Sequence, residues 1–162
     1  MNLSEKEKQK LKTRTAIPFW FHTLKHKALV LGYILRFCVK IIWRGIFHDL
    51  SKFSLYEGRS YGKFIPEFKK VKYGTAGYDE ILKKFQPAID HHYHHNRHHP
   101  QHFKGGYSSM NLLDFMEMFF DWKAASKKNL GTGSLKKSLP INAKRFKMSD
   151  DIQKLMLNSL NL

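Results

Sequence analysis

The sequence predicts an all-α protein, a single-domain helical bundle of five to six helices. Apolar residues recur at three- and four-residue steps over several stretches, which is the period of a helix with one buried face. No stretch of any length alternates apolar and polar residues as a half-buried strand does. The 162 residues are 42% hydrophobic, enough for one domain with a real core. We place this domain at residues 19–162, after a flexible basic lead-in over residues 1–18.

The first half of the chain contains two predicted helices and a looser connection. Pro18 suits the first turn of a helix, where the backbone N–H that proline lacks has no partner anyway. Helical spacing then continues over residues 19–39, and a second helix is predicted over residues 41–50. Residues 53–78 are rich in glycine and proline, which predicts a loose connection with room for one short helix.

The second half of the chain contains three predicted helices. One leads into a run of histidines, one covers residues 110–127, and the last follows a loop at residues 131–133. Serine and aspartate favour helix starts because their side chains accept hydrogen bonds from free backbone N–H groups. The predicted starts are Asp79, Ser108 or Ser109, and Ser149.

The composition limits the kind of partner and the cellular location. The formal net charge of +16 favours polyanionic partners such as nucleic acid, nucleotides or phosphorylated metabolites, although a lysine-rich surface can also serve solubility alone. The single cysteine, Cys38, excludes a disulfide framework and a cysteine-based zinc site, and predicts a cytoplasmic protein. Arg36 and Lys40 interrupt the most apolar stretch, so we expect no membrane-spanning segment and no membrane partner.

Seven of the ten histidines lie between His91 and His102, and we call this segment the histidine cluster. Imidazole is the commonest protein ligand for zinc, iron, nickel and copper. A solvated polar tract that binds metal only loosely is the alternative. Because the cluster lies at the end of a predicted helix, only the histidines on its inward face are expected to bind metal.

The adjacent pair His48-Asp49 supplies one neutral and one anionic candidate ligand. Side chains one residue apart on a helix point about 100° apart, so this pair shares an ion only if the ion lies in a groove between helices. An ordinary histidine-aspartate pair at a helix end is the alternative.

Three acids follow one face of the apolar helix predicted over residues 110–127: Asp114, Glu117 and Asp121. A buried carboxylate is costly unless it is paired or binds a cation. We expect Asp121 to bind metal and Glu117 to orient a histidine. The alternative is that the stripe faces solvent or pairs with some of the many basic residues.

The order of these candidates along the chain resembles the HD-domain superfamily of metal-dependent phosphohydrolases, which are all-helical. The matching elements are His26, His48-Asp49, the histidine cluster and Asp121. The chain is most similar to a small HD-like family of phages, viruses and bacteria, over roughly residues 20–128. The shared motifs are HDLSKFS, HNRHHP and EMxxDW, the last present here as EMFFDW.

The resemblance implies a phosphohydrolase that acts on a phosphorylated small molecule or nucleotide. One or two divalent ions would activate water, and mixed nitrogen and oxygen ligands leave manganese, iron, zinc, cobalt and nickel open. Lys52 and Arg97 would neutralise phosphate oxygens, and Glu57 would position water or orient a ligand. The implied metal ligands are His26, His48, Asp49, His91, His92, His98 and Asp121.

Three other classes of function stay open from the sequence. The basic surface and the 14% of aromatic residues also suit a nucleic-acid-binding protein with a structural metal site. HD-like scaffolds also host di-iron oxygenases. The third alternative is a scaffold that binds a partner without catalysis, although the complete series of ligands favours an enzyme.

Overall fold

The computed structural model describes residues 4–71, 75–128 and 134–161. No strand occurs in these ranges, which confirms the predicted all-α class. Within the same ranges, no helix has both the length and the hydropathy that crossing a bilayer requires. The α-helices are α1 (Glu5–Ile46), α2 (Leu55–Phe68), α3 (Ala76–His95), α4 (Leu112–Lys128), α5 (Leu135–Phe146) and α6 (Asp150–Asn158), and short 3-10 helices cover Leu50–Phe53, Pro100–His102 and Gly106–Ser109.

Helix α1 begins much earlier than the sequence predicts. Ser4 and Glu7 form a reciprocal cap, in which the Glu7 amide donates to the Ser4 hydroxyl and the Ser4 amide donates to the Glu7 carboxylate. The predicted lead-in is therefore helical from Glu5 onward, and Pro18 lies inside the helix rather than at its start. The chain divides into two compact units, Met1–Ile42 and Trp43–Leu162, and the predicted boundary after residue 18 stays a prediction.

The predicted second helix over residues 41–50 does not exist as a separate element. Helix α1 runs without interruption to Ile46, and a turn over residues 47–49 leads into the 3-10 helix. Asp49 ends this turn with a φ of 56°, in the left-handed region that aspartate tolerates better than most residues. The turn, and not a helix face, therefore carries the His48-Asp49 pair.

Helix α2 covers much of the connection that the glycines and Pro66 predicted to be loose. Ser54 caps the helix by accepting a hydrogen bond from the Glu57 amide. Aromatic side chains of α2 then pack on Phe85 of α3, with ring centroids 4.9 Å away for Tyr61 and 5.4 Å for Phe64. This tertiary packing outweighs the weak helix propensity of the segment.

Helix α4 begins after Asn111 rather than at the serines predicted to cap it. The Asn111 side chain accepts from the Asp114 amide, and Asp114 in turn accepts from the Asn111 amide. Ser108 and Ser109 instead end the preceding 3-10 helix. The start of α3 is also earlier than Asp79, because Thr75 caps it.

Helices α4, α5 and α6 pack together around an apolar core. Helix α5 was not predicted, because its sequence is rich in lysine and interrupted by Pro140. The last helix begins after Ser149 as predicted, with the Ser149 hydroxyl accepting from the Ile152 amide. The loop predicted at residues 131–133 lies outside the described residues. The buried core residues here are Met118, Phe119, Leu135, Leu139, Ala143, Met148 and Met156.

Candidate metal centre

The turn after α1 directs the side chains of His48 and Asp49 to one place. His48 Nε2 lies 3.4 Å from Asp49 Oδ2, a proximity that neighbours on a regular helix do not reach. The other carboxylate oxygen, Asp49 Oδ1, lies 3.2 Å from His92 Nε2 and 3.4 Å from His98 Nε2. Asp49 therefore lies between the end of α1 and the histidine cluster.

Two overlapping groups of side chains have the composition and spacing of a metal site. Within each group, one donor atom per residue lies within 4.8 Å of every other. Because His98 belongs to both groups, the groups form one continuous centre, which we call the His/Asp centre. Its members are Asp49, His92, His98 and His99 in one group, and His48, His98 and Asp121 in the other.

Two buried glutamates orient the imidazole rings of this centre. His92 Nδ1 donates to Glu57 at 2.9 Å, while His48 Nδ1 and His98 Nδ1 both donate to Glu117, at 2.9 and 3.1 Å. A ring that donates from Nδ1 presents the lone pair of Nε2 on its opposite side. All three Nε2 atoms therefore face the interior of the centre, where each can bind a metal ion once it carries no proton, and the paired carboxylates raise their basicity.

Two atoms at the middle of the centre are buried without a hydrogen-bond partner among the described residues: Asp49 Oδ1 and His98 Nε2. An unpaired buried polar atom costs about 1–3 kcal/mol. Two ligand atoms that each lie about 2.1 Å from a tetrahedral ion are about 3.4 Å apart. The observed separation of these two atoms is 3.4 Å, so a shared ion would satisfy both atoms without rearrangement.

The carboxylates in the centre and beside it are held in their ionised form. Burial alone would raise the pKa of Asp49, but the nearby imidazoles of His92 and His98 and the ammonium of Lys52 lower it overall. Burial opposes the ionisation of Glu117 in the same way, and its contacts with His48 and His98 again lower the pKa overall. The pKa of His99 falls to about 3, because burial and the neighbouring His98 and His92 disfavour its charged form. Ionised carboxylates and the neutral imidazole of His99 are forms that bind metal, whereas His48 and His98, whose pKa values are raised, must release a proton when an ion binds.

The metal-free protein is expected to lose stability as the pH rises above 6.5. Contacts with Asp121 and Glu117 raise the pKa of His48 to about 10 in the folded chain. A raised pKa stabilises the fold fully below the unfolded value near 6.5, and this contribution disappears as the pH rises through 10. Urea unfolding midpoints in the presence of a chelator, at pH 6.5 and pH 9, measure the decline.

The variant His48→Gln provides the comparison for this pH dependence. Its midpoint should fall less between the two pH values than that of the wild type. Some decline should remain in the variant. Burial lowers the pKa of His98, but its contacts with Asp49 and Glu117 outweigh this effect and raise the pKa overall. An equal decline in the variant and the wild type would contradict the assignment to His48.

The three acids of α4 have overlapping contacts but different main roles, since Arg44 contacts both Asp114 and Glu117. Asp114 is fully buried and pairs with Arg44 at 2.7 Å and with Arg97 at 3.0 Å. These contacts agree with the alternative prediction that the acids pair with basic residues. Glu117 contacts two histidines, in agreement with its expected role of orienting a histidine. Asp121 Oδ1 lies 3.6 Å from His48 Nε2, within the His/Asp centre. The predicted stripe therefore contains one salt-bridge acid, one orienting acid and one candidate ligand.

The remaining predicted residues lie around the centre with other partners. Lys52 donates to Asp49 Oδ2 at 2.5 Å, so its ammonium lies beside the candidate ligands. Glu57 is fully buried against His91 and His92, which favours the orienting role over the water-positioning role. His91 Nδ1 contacts Glu57 at 2.7 Å, and His91 belongs to neither group.

Two predicted residues have environments that differ from the expectation. Arg97 binds both oxygens of Asp114 through two of its nitrogens, which favours a structural role over the predicted contact with phosphate. His26 lies on α1 in the first unit, is exposed and belongs to neither group. Its role as a ligand stays a prediction.

His99 is the member of the centre that the sequence did not single out from the rest of the histidine cluster. It follows the end of α3, where the Asn96 side chain bonds back to the His92 carbonyl oxygen at 2.8 Å. Pro100 holds the preceding residue in an extended conformation, and His99 has a φ of −93° and a ψ of 127°. This geometry brings His99 Nε2 to 2.9 Å from His92 Nε2. The sequence contains one signal for this position, because a residue that precedes a proline is held in an extended conformation, and His99 precedes Pro100.

Replacing His99 with glutamine is expected to weaken metal binding on the order of tenfold or more, because one neutral nitrogen donor is lost. His94→Gln provides a matched control, since His94 belongs to the same cluster, is exposed and lies in neither group. Competition titrations with a chromogenic chelator measure both affinities. Equal affinities for the two variants would remove His99 from the centre.

The fold and the site define a helical protein with a histidine–aspartate group that can hold a metal ion. The chain belongs to a family of unknown function, DUF5662, which it matches over residues 18–162. No curated protein and no solved structure matches it. The relationship to the HD-domain superfamily therefore stays a prediction.

Proposed function

We propose that this protein is a metal-dependent phosphohydrolase whose His/Asp centre holds a divalent ion. The observation that carries the proposal is the convergence of Asp49 Oδ1 and His98 Nε2, both buried without a hydrogen-bond partner in the described part of the chain. The orienting bonds from Glu57 and Glu117 add support, because metal-binding histidines commonly donate their other N–H to a carboxylate.

The donor set limits which ions fit. Imidazole nitrogens and carboxylate oxygens suit manganese, iron, cobalt, nickel and zinc, and the described centre contains no thiolate. His98 offers a single free ring nitrogen, because its Nδ1 faces Glu117, so His98 binds one ion at a time. The two oxygens of Asp49 face different histidines, which makes Asp49 the natural bridge if two ions are present.

One side of the centre is open to solvent. His98 is 1% exposed at the side chain, whereas Asp121 is 26% and His48 is 27% exposed. Catalytic metal sites keep an open position for water or substrate, whereas structural sites are closed. An ion bound here would lower the pKa of a water molecule toward 7 and polarise a phosphoryl oxygen.

Lys52 supplies positive charge at this open side. Its ammonium uses one donor on Asp49 and has two further donors, and its side chain is 39% exposed. Paired with a phosphate oxygen, it would stabilise the charge that develops in a phosphoryl transfer. A phosphorylated small molecule or nucleotide therefore fits the charge of the site, in line with the formal net charge of +16.

Elemental analysis of the purified protein, followed by a substrate panel, tests the proposal. The panel contains a phosphomonoester, a phosphodiester and nucleotides, each assayed with manganese, cobalt, nickel, zinc and magnesium. We expect a stoichiometric divalent metal and hydrolysis that a chelator abolishes and added metal restores. Lys52→Gln should retain the metal and lose activity, which separates the proposed phosphate contact from metal binding.

Other results of the same panel would replace the proposal. Oxygen consumption with ferrous iron and no phosphate release would indicate the oxygenase alternative. Salt-sensitive binding of DNA or RNA that survives the Asp121→Ala change, without hydrolysis, would indicate a nucleic-acid-binding protein with a structural metal.

A further inference from the structure

The helix of the first unit exposes a large amount of apolar surface. Between Ile17 and Ile42, most large apolar side chains of α1 are more than half exposed, with Phe19 and Tyr33 at 66%. Contiguous apolar surface of this extent marks a contact surface for another molecule. The exposed members include Phe19, Trp20, Phe21, Leu24, Leu29, Leu31, Ile34, Leu35, Val39 and Ile42.

Three of the four lysine and arginine residues between residues 17 and 42 lie on one side of this helix. Lys25, Arg36 and Lys40 are separated by 11 and 4 residues, so at 3.6 residues per turn they lie within about 60° of one another. The opposite side carries residues such as Trp20, Leu31 and Ile34, with Leu35 toward its edge, while the exposed Leu29 lies within the cationic side. No acid occurs in the sequence between Glu7 and Asp49. The surface thus combines an apolar face with a positive stripe that has no acidic partner on its own helix.

This charge pattern decides between the candidate partners. A second copy of the helix would bring like charges together and offer no acids to pair with them, unlike paired helices that alternate both signs. Nucleic acid would pair with the stripe and leave the apolar face in water. A bilayer with anionic headgroups complements both the positive stripe and the apolar face. The headgroup phosphates pair with cations, and the boundary with the acyl chains accepts apolar side chains.

We propose that residues 17–42 lie along the surface of an anionic bilayer, with the apolar face buried and the stripe toward the headgroups. Such a helix extends about 38 Å in the membrane plane. Lys27 is the exception on the apolar side, and its long side chain allows the ammonium to reach the headgroups. This inference does not rest on the proposed phosphohydrolase activity. It replaces the expectation from the sequence of no membrane partner, which rested only on the absence of a spanning segment.

Cosedimentation of the full chain with vesicles tests the inference. Phosphatidylcholine vesicles with and without phosphatidylserine separate anionic from neutral surfaces. We expect the wild type to bind the anionic vesicles and to be released by high salt. Arg36→Gln with Lys40→Gln should weaken binding on the order of tenfold, and Leu31→Gln with Leu35→Gln by a similar factor.

The double variant Lys136→Gln with Lys137→Gln controls for net charge, because it removes two exposed cations from α5 in the second unit. It should bind as the wild type does. Equal losses in this control and in Arg36→Gln with Lys40→Gln would overturn the inference, as would an unchanged affinity of the leucine variant. A stable dimer in solution that the leucine variant dissociates would instead assign the surface to a second copy.

Discussion

Replacing Asp49 with asparagine is expected to remove the metal and the hydrolytic activity together while the fold persists. The change removes the negative charge that the centre places between His92 and His98. Asparagine keeps the shape of aspartate and tolerates the φ of 56° at this position, so the turn after α1 should persist. Alanine tolerates this φ less well, so an Asp49→Ala variant would combine the loss of a metal ligand with a change in the backbone.

We expect the affinity for metal to fall at least about a hundredfold, because changes to residues that only support ligands already cost 10–100-fold. Metal content after dialysis and phosphoester hydrolysis are the two measurements. Asp90→Asn is the matched control, since Asp90 is an exposed acid on α3 that pairs with Gln86 and belongs to neither group. An Asp49→Asn protein with normal metal and normal activity would refute the assignment of the centre.

The largest expected loss of stability follows from replacing Asp114 with asparagine. The Asp114 side chain is fully buried, and it neutralises Arg44 of α1 and Arg97 of the histidine cluster. Breaking a buried ion pair leaves an uncompensated charge, which costs about 3–5 kcal/mol. Arg97 is 48% exposed and recovers part of its hydration, so we expect a loss of about 3 kcal/mol.

Urea unfolding of the metal-free protein measures this loss without a contribution from bound ions. Asp151→Asn is the control, because Asp151 is an exposed acid in the first turn of α6. Its free energy of unfolding should change by a few tenths of a kcal/mol at most, the size of an exposed contribution to a helix start. Equal midpoints for the two variants would show that the Asp114 ion pairs do not stabilise the fold.

The sequence predicts the helical class because the apolar period is strong, but it misses elements whose stability comes from packing. The glycines and Pro66 of α2 predict a loose segment, and contacts of Tyr61 and Phe64 with Phe85 determine the helix instead. Helix α5 carries too many lysines to stand out, and the burial of Leu135 and Leu139 against α4 and α6 stabilises it. Long-range contacts of this kind leave no local signal.

The sequence predicts most of the candidate centre, because imidazole is a common metal ligand and a buried acid requires a partner. Five of the metal ligands predicted from the sequence belong to the two groups: His48, Asp49, His92, His98 and Asp121. The pairing of Arg97 with Asp114 was not foreseen, because spacing along the chain does not reveal contacts between distant segments. The other differences between the predicted and the observed centre come from backbone geometry. The turn at Asp49 and the extended residue before Pro100 determine side-chain directions that helix periodicity does not predict.

Glu57 and Glu117 each serve two imidazole rings: His91 and His92 in one case, His48 and His98 in the other. A single change at Glu117 therefore frees two rings to rotate at once, whereas a change at one histidine leaves the orientation of the others intact. Arg44 extends this dependence to the end of α1 through its bond to Glu117. A change at either glutamate should accordingly affect two rings at once, and three of these four rings, those of His48, His92 and His98, belong to the His/Asp centre.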